Sequence, residues 1–71
     1  KVSGTCEQLV DYQVVPREQA LERAKAEAVE LAVAAGAVRE SVEIIDVEDV
    51  PLQYYPGNTC RVKIKAAGDL A

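Results

Sequence analysis

Apolar and polar residues alternate through the opening stretch of the chain. Val2, Gly4, Cys6, Val10, Tyr12 and Val14 fall on one parity, and Ser3, Thr5, Glu7, Asp11 and Gln13 on the other. A period of two residues is that of a half-buried strand, so a strand is expected over 2–15. Gln8 and Leu9 interrupt the alternation, and a bulge or bend is expected there.

The pattern then changes to a helical one. Residues 16–35 are rich in alanine, with Leu, Glu, Lys, Arg and Gln at most other places. These are the strongest helix formers. Pro16 suits the first turn, where a missing N–H costs nothing, and Glu18 suits the positive end of the helix dipole. Leu21, Ala24, Ala28, Leu31, Ala32 and Ala35 recur at spacings of three and four and predict one apolar stripe. Arg23 and Glu27 stand one turn apart and are expected to pair. Gly36 is expected to end the helix.

Two more strands follow. Over 41–50, Val42, Ile44, Ile45, Val47 and Val50 are interleaved with Glu43, Asp46, Glu48 and Asp49, and the Ile44-Ile45 doublet breaks strict alternation. Pro51 ends this run. Pro56-Gly57 is a turn signal, because Pro fixes φ at one central position and Gly accepts positive φ at the next. Over 61–67, Val62, Ile64 and Ala66 face one way and Arg61, Lys63 and Lys65 the other. One strand is acidic on its polar positions and the other basic, which favours antiparallel pairing across the turn. The expected fold is therefore α+β: a two-layer β-α-β-β arrangement, one helix packed on the apolar face of a three-stranded sheet.

Size and composition narrow the chemistry. At 71 residues there is room for one domain with a thin core and no deep cleft. Apolar residues make up 49% and charged residues 28%, a globular balance. A net charge of −4 argues against nucleic acid, whose phosphates an acidic chain repels. The longest mostly apolar stretch, 28–38, is about half a membrane span and carries Glu30, so no membrane partner is expected. There is no histidine, which removes the commonest general base and metal ligand.

The recognisable catalytic patterns are missing. The four glycines are isolated, so no phosphate loop forms, and no triad can be assembled without histidine. Asp46 and Glu48 should share a face while Asp49 points away, so a carboxylate metal cage is not expected. Glu43, Asp46 and Glu48 against Arg61, Lys63 and Lys65 read as a solvated ion-pair ladder. Cys6 and Cys60 fall at apolar strand positions and read as buried free thiols; a single disulfide between them is the alternative. No catalytic, cofactor-binding or metal-binding residue is assigned. Tyr54, Tyr55 and Asn58, around the Pro-Gly turn, are the candidate partner contacts. The plainer reading is that one tyrosine caps the core and the other covers the turn.

Several stretches also resemble a known family. They are Val2-Ser3-Gly4, Pro16-Arg17-Glu18-Gln19-Ala20-Leu21, the run AVAAG over 32–36 and SVEII over 41–45. Most specific are Pro51-Leu52-Gln53-Tyr54-Tyr55-Pro56-Gly57-Asn58, then Arg61-Val62-Lys63-Ile64-Lys65, and the closing Gly68-Asp69-Leu70. Together these are similar to the C-terminal region of the hydantoinase A/5-oxoprolinase (hydantoin utilization protein A) family. The resemblance implies a C-terminal piece of a larger cytoplasmic enzyme subunit that opens cyclic amide rings at the expense of ATP. It implies that ATP and a divalent metal belong to the parent, with none held by this segment. The partner it implies is the catalytic body of the parent chain or a partner subunit. The alternative is a free-standing interaction module that uses its sheet edge or the Tyr54-Tyr55 loop. A third reading, a regulatory domain that binds hydantoin or 5-oxoproline near the same loop, is weaker.

Overall fold

A computed structural model describes all of residues 1–71. Strand β1 (Val2–Asp11) leads into helix α1 (Arg17–Ala34), a single 3-10 turn (Arg39–Ser41), strand β2 (Glu43–Pro51) and strand β3 (Thr59–Gly68). The expected α+β fold is observed, with one helix on a three-stranded sheet. The sheet order is β1-β3-β2, and both pairings are antiparallel. The last strand is therefore inserted between the first two, leaving β1 and β2 parallel to one another as the two edges.

The first strand is shorter than its alternation suggested. The Asp11 carbonyl accepts from the Val14 and Val15 amides, and its carboxylate Oδ1 accepts from the Gln13 amide at 2.9 Å. This Asx turn lifts residues 12–15 out of the ladder. No bulge occurs at Gln8 and Leu9. The register runs unbroken from Val2 opposite Gly68 to Asp11 opposite Thr59. Gln8 faces the helix and Leu9 the open side, polar and apolar residues being exchanged relative to the alternation. The irregularity lies instead in β2, between Ile44 and Asp46, at the isoleucine doublet.

Helix α1 begins after Pro16, which stands just outside it as the N-cap with extended backbone and no side-chain cap. The C-terminus closes on Gly36 at φ 114°. The Gly36 amide donates to Val33 and the Ala37 amide to Ala32, the paired bonds of a Schellman motif. The buried line is Ala20, Ala24, Ala28 and Ala32. Ala24, Ala28 and Ala32 of the predicted stripe are buried as expected, but its flanks differ: Ala20 joins them, Leu31 is 41% exposed, Ala35 is exposed and Leu21 is half-buried.

The reason is Gly4. A Cβ on Gly4 would lie 2.3 Å from the Ala32 amide nitrogen and 2.7 Å from the Leu31 carbonyl carbon. The helix backbone thus rests directly on β1 at a residue with no side chain. Only a line of alanines permits such an approach, and the leucines are displaced to its edges.

The core is correspondingly thin. Ile64 and Val62, both on the central strand, are the largest fully buried side chains; alanines, Cys6 and Val10 supply most of the rest. The molecule is elongated, 42 × 18 × 15 Å, with a radius of gyration of 13.1 Å. About 11 Å is expected for a spherical chain of this length.

Candidate functional site

Three features of the surface have the makings of a contact site. The first is the turn that joins β2 to β3. Gly57 has φ 70°, and a Cβ there would meet the Asp11 carboxylate at 2.7 Å. Asp11 Oδ1 accepts from the Asn58 amide at 3.3 Å, and the Asn58 carbonyl accepts from the Tyr12 amide at 3.2 Å. Thr59 Oγ1 donates to the Pro56 carbonyl at 2.7 Å. The Pro-Gly-Asn stretch is therefore clamped to the end of β1 through backbone groups. Between this turn and Tyr12 lies an open hollow of about 430 Å³, bordered by Leu52, Tyr55, Asn58 and Cys60.

The three proposed contact residues separate here. Tyr55 (49% exposed) and Asn58 border the hollow, whereas Tyr54 is 98% exposed and borders nothing. Asn58 contributes its backbone to the clamp, so it serves the turn before it serves any partner.

Beneath the hollow is a polar cluster that the alternation did not disclose. Asp49 Oδ2 accepts from the Tyr12 hydroxyl at 3.0 Å and from Arg17 Nε and NH2, both at 3.1 Å. Asp49 Oδ1 is closed off from solvent and has no hydrogen-bond partner. Burial first, then the adjoining Asp49 carboxylate, pushes the Tyr12 phenol and the Cys60 thiol above their ordinary values. A thiol so raised is a poor nucleophile at neutral pH. The one hint in the sequence was that Asp49 points away from Asp46 and Glu48; it faces the helix side, opposite Val62.

Cys6 is equally inert. Burial, then a hydrogen bond donated to Glu27 Oε2 at 3.2 Å, raises its thiol to about 11. Both cysteines are free. Cys6 sits opposite Ile64 and Cys60 opposite Val10, which separates them by roughly 13 Å along the strands at about 3.3 Å per residue. A disulfide needs Cα atoms about 4.4–6.8 Å apart.

The second feature is the flank of β2. Helix α1 lies mainly over β1 and β3, so the inner face of β2 is only partly covered. Val47 is opposite Ile64 in the ladder, yet Val47 is 45% exposed and Ile64 fully buried. Ile44, on the same face, is only partly buried.

The charge ladder between β2 and β3 is looser than expected. Asp46 stands opposite Lys65 and Glu48 opposite Lys63, but the bulge leaves Glu43 opposite Ala67 and Arg61 opposite Val50. None of these charges closes to an ion pair within 4.0 Å; the two ion pairs are Arg17–Asp49 and Arg39–Glu30. Exposed pairs are worth about 0–1 kcal/mol, too little to hold long side chains together.

The third feature is the outer edge of β1. A smaller hollow of about 170 Å³ lies between this edge and α1, lined by Gln8, Val10, Val15, Ala20 and Arg23 among others. Arg23 does not make the expected pair with Glu27, whose carboxylate takes the Cys6 proton donor instead.

No group of three or more His, Cys, Asp or Glu side chains converges on one point. No helix is long and apolar enough to cross a membrane. Comparison with protein-family models, with curated proteins and with solved structures returns no match to this chain.

Proposed function

We propose that this chain is a non-catalytic accessory domain of an ATP-dependent hydantoinase/5-oxoprolinase-type hydrolase, docked on the enzyme's catalytic body. The partly uncovered inner face of β2 carries the reading. Val47 is 45% exposed beside a fully buried Ile64, on a face that the domain's own helix reaches only in part, through Arg17 on Asp49. A sheet face with half-exposed β-branched residues is stabilised by a second layer. The motifs behind the resemblance have structural work to do in this fold. Gly4 admits the helix, Gly57 admits Asp11, and a Cβ on Gly68 would meet Val42 at 2.8 Å. That pattern suits a positioning domain whose specific residues maintain shape. ATP, metal and the ring-opening chemistry then belong to the body.

The test is complementation. A large subunit of this enzyme type lacking its C-terminal region is mixed with the 71-residue chain, and ATP-coupled opening of hydantoin or 5-oxoproline is followed. The expected result is association, partial recovery of activity and no turnover by the chain alone. Val47→Asp is expected to abolish recovery while leaving the isolated domain folded. Turnover by the chain alone, or no association with the truncated subunit, overturns the reading.

A second reading, a free-standing interaction module, is favoured by the unpaired outer edge of β1.

A further inference from the structure

The two edges of the sheet are built differently. Edge strands present a row of unpaired N–H and C=O groups, and proteins blunt them with charges, bulges and proline. Strand β2 has all three: Glu43, Asp46, Glu48 and Asp49, an irregularity between Ile44 and Asp46, and Pro51. Strand β1 has ten residues in unbroken register, no proline and no basic residue; its acids are Glu7 and Asp11. The Asp11 carboxylate is already engaged by the Gln13 and Asn58 amides. One edge is closed to pairing, and the other is open.

The open edge also adjoins a receptive groove. The hollow of about 170 Å³ between β1 and α1 is floored by Val10, Val15 and Ala20. Small-molecule sites run to roughly 300–1,000 Å³, so this one is on the scale of a side chain. Arg23, at the rim, is exposed and has no carboxylate within 4.0 Å. Ala20 and Arg23 are about 5 Å apart along the helix. Side chains on the same face of a strand are about 6.6 Å apart. A strand laid along β1 would therefore bring one helix-facing side chain over the apolar floor and the next one, two residues away, to Arg23.

We infer that the outer edge of β1 and the adjoining face of α1 form a strand-addition site for an extended segment of a partner polypeptide, with a branched apolar side chain seated against Val10, Val15 and Ala20 and an acidic side chain two residues away paired with Arg23. Main-chain hydrogen bonds to the edge hold the segment, and the alternate side chains select it. The inference is independent of the hydrolase assignment and shares only the second reading's premise that this edge is open.

The probe is a capped peptide, Ser-Val-Thr-Glu-Thr-Val-Ser, titrated into the folded chain while amide shifts and hydrogen exchange are recorded. Saturable shifts and at least about fivefold slower exchange at alternate β1 amides are expected. The same peptide with lysine for glutamate should bind about tenfold more weakly. Arg23→Glu, an exposed substitution, should reverse that preference. The inference is overturned by no change in β1 at millimolar peptide with the domain folded, by perturbation confined to β2, or by Arg23→Glu binding both peptides alike. Self-association of the chain through β1, competing with the peptide, would replace the acidic segment by a second copy and also sinks it. Failed complementation of the hydrolase leaves peptide binding standing, and failed peptide binding leaves the docked-domain reading standing.

Discussion

Replacing Gly4 with alanine probes the contact on which the whole fold rests. The added Cβ would fall 2.3 Å from the Ala32 amide nitrogen and 2.7 Å from both the carbonyl carbon and the Cβ of Leu31. The first two are backbone atoms within α1, so no rotamer change relieves the overlap. The helix must lift by about 1 Å, since ordinary contact starts near 3.4 Å. Lifting loosens Ala24, Ala28 and Ala32, all fully buried, against Cys6 and Ile64. Overpacking of a core costs about 1–3 kcal/mol. Against this, alanine is about 0.5–1 kcal/mol better than glycine within a strand. Because the obstruction is backbone, the net loss is expected at about 2 kcal/mol. The whole domain should have only roughly 4–11 kcal/mol at ~0.05–0.15 kcal/mol per residue. Urea unfolding followed by far-ultraviolet circular dichroism reads the change. A fall in melting temperature of roughly 8–16 °C should accompany it, at about 4–8 °C per kcal/mol for a domain of this size. Ser3→Ala, on the opposite face, is the control and should stay within about 0.5 kcal/mol. If Gly4→Ala proves as stable as the parent chain, the helix does not rest on β1 there, and the account of its alanine line fails.

Further outcomes follow from the polar groups at the core's margin. Asp49→Ala strands the Tyr12 hydroxyl and frees Arg17. A loss of about 1–2 kcal/mol is expected, most of it from Tyr12, because the Arg17 side chain is 62% exposed and its pair is screened. Asp49→Asn should lower the Tyr12 phenol part of the way back, since burial is the larger cause of its shift; ultraviolet titration of tyrosinate checks this, and an unchanged curve refutes it. The Cys6 thiol, at about 11 in the fold against 9.0 when free, keeps its proton while the unfolded chain loses it. The Cys6 contribution to stability should therefore be level below pH 9 and be lost as pH rises toward about 11, and Cys6→Ala should remove that part of the alkaline loss while the parts from Tyr12 and Cys60 remain. Correspondingly, a disulfide reagent at pH 8 should label neither cysteine quickly until the chain is unfolded.

Local order in this protein was written in local sequence. The alanine-rich run specified the helix to within a residue at each end, because propensity summed over eighteen residues outweighs any single contact. The alternation of Arg61 to Ala66 specified β3, and the strand–turn–strand order around Pro56-Gly57 pointed to its antiparallel pairing with β2. Ala24, Ala28 and Ala32 of the buried helical line were legible, but that its leucines stand at the edges was not, since the close approach is set by Gly4, distant in the chain. The insertion of β3 between β1 and β2 was likewise invisible, because a strand's alternation states which face it buries and says nothing of its neighbours. The contact surfaces depend on that order. It leaves β1 and β2 as edges, sets Asp49 beside Tyr12 and Arg17, and deprives Arg23 of its expected partner. Propensity and periodicity act between residues a few positions apart. Strand order, helix approach and stranded charges arise from distant parts of the chain competing for the same small core, and only the folded arrangement decides among them.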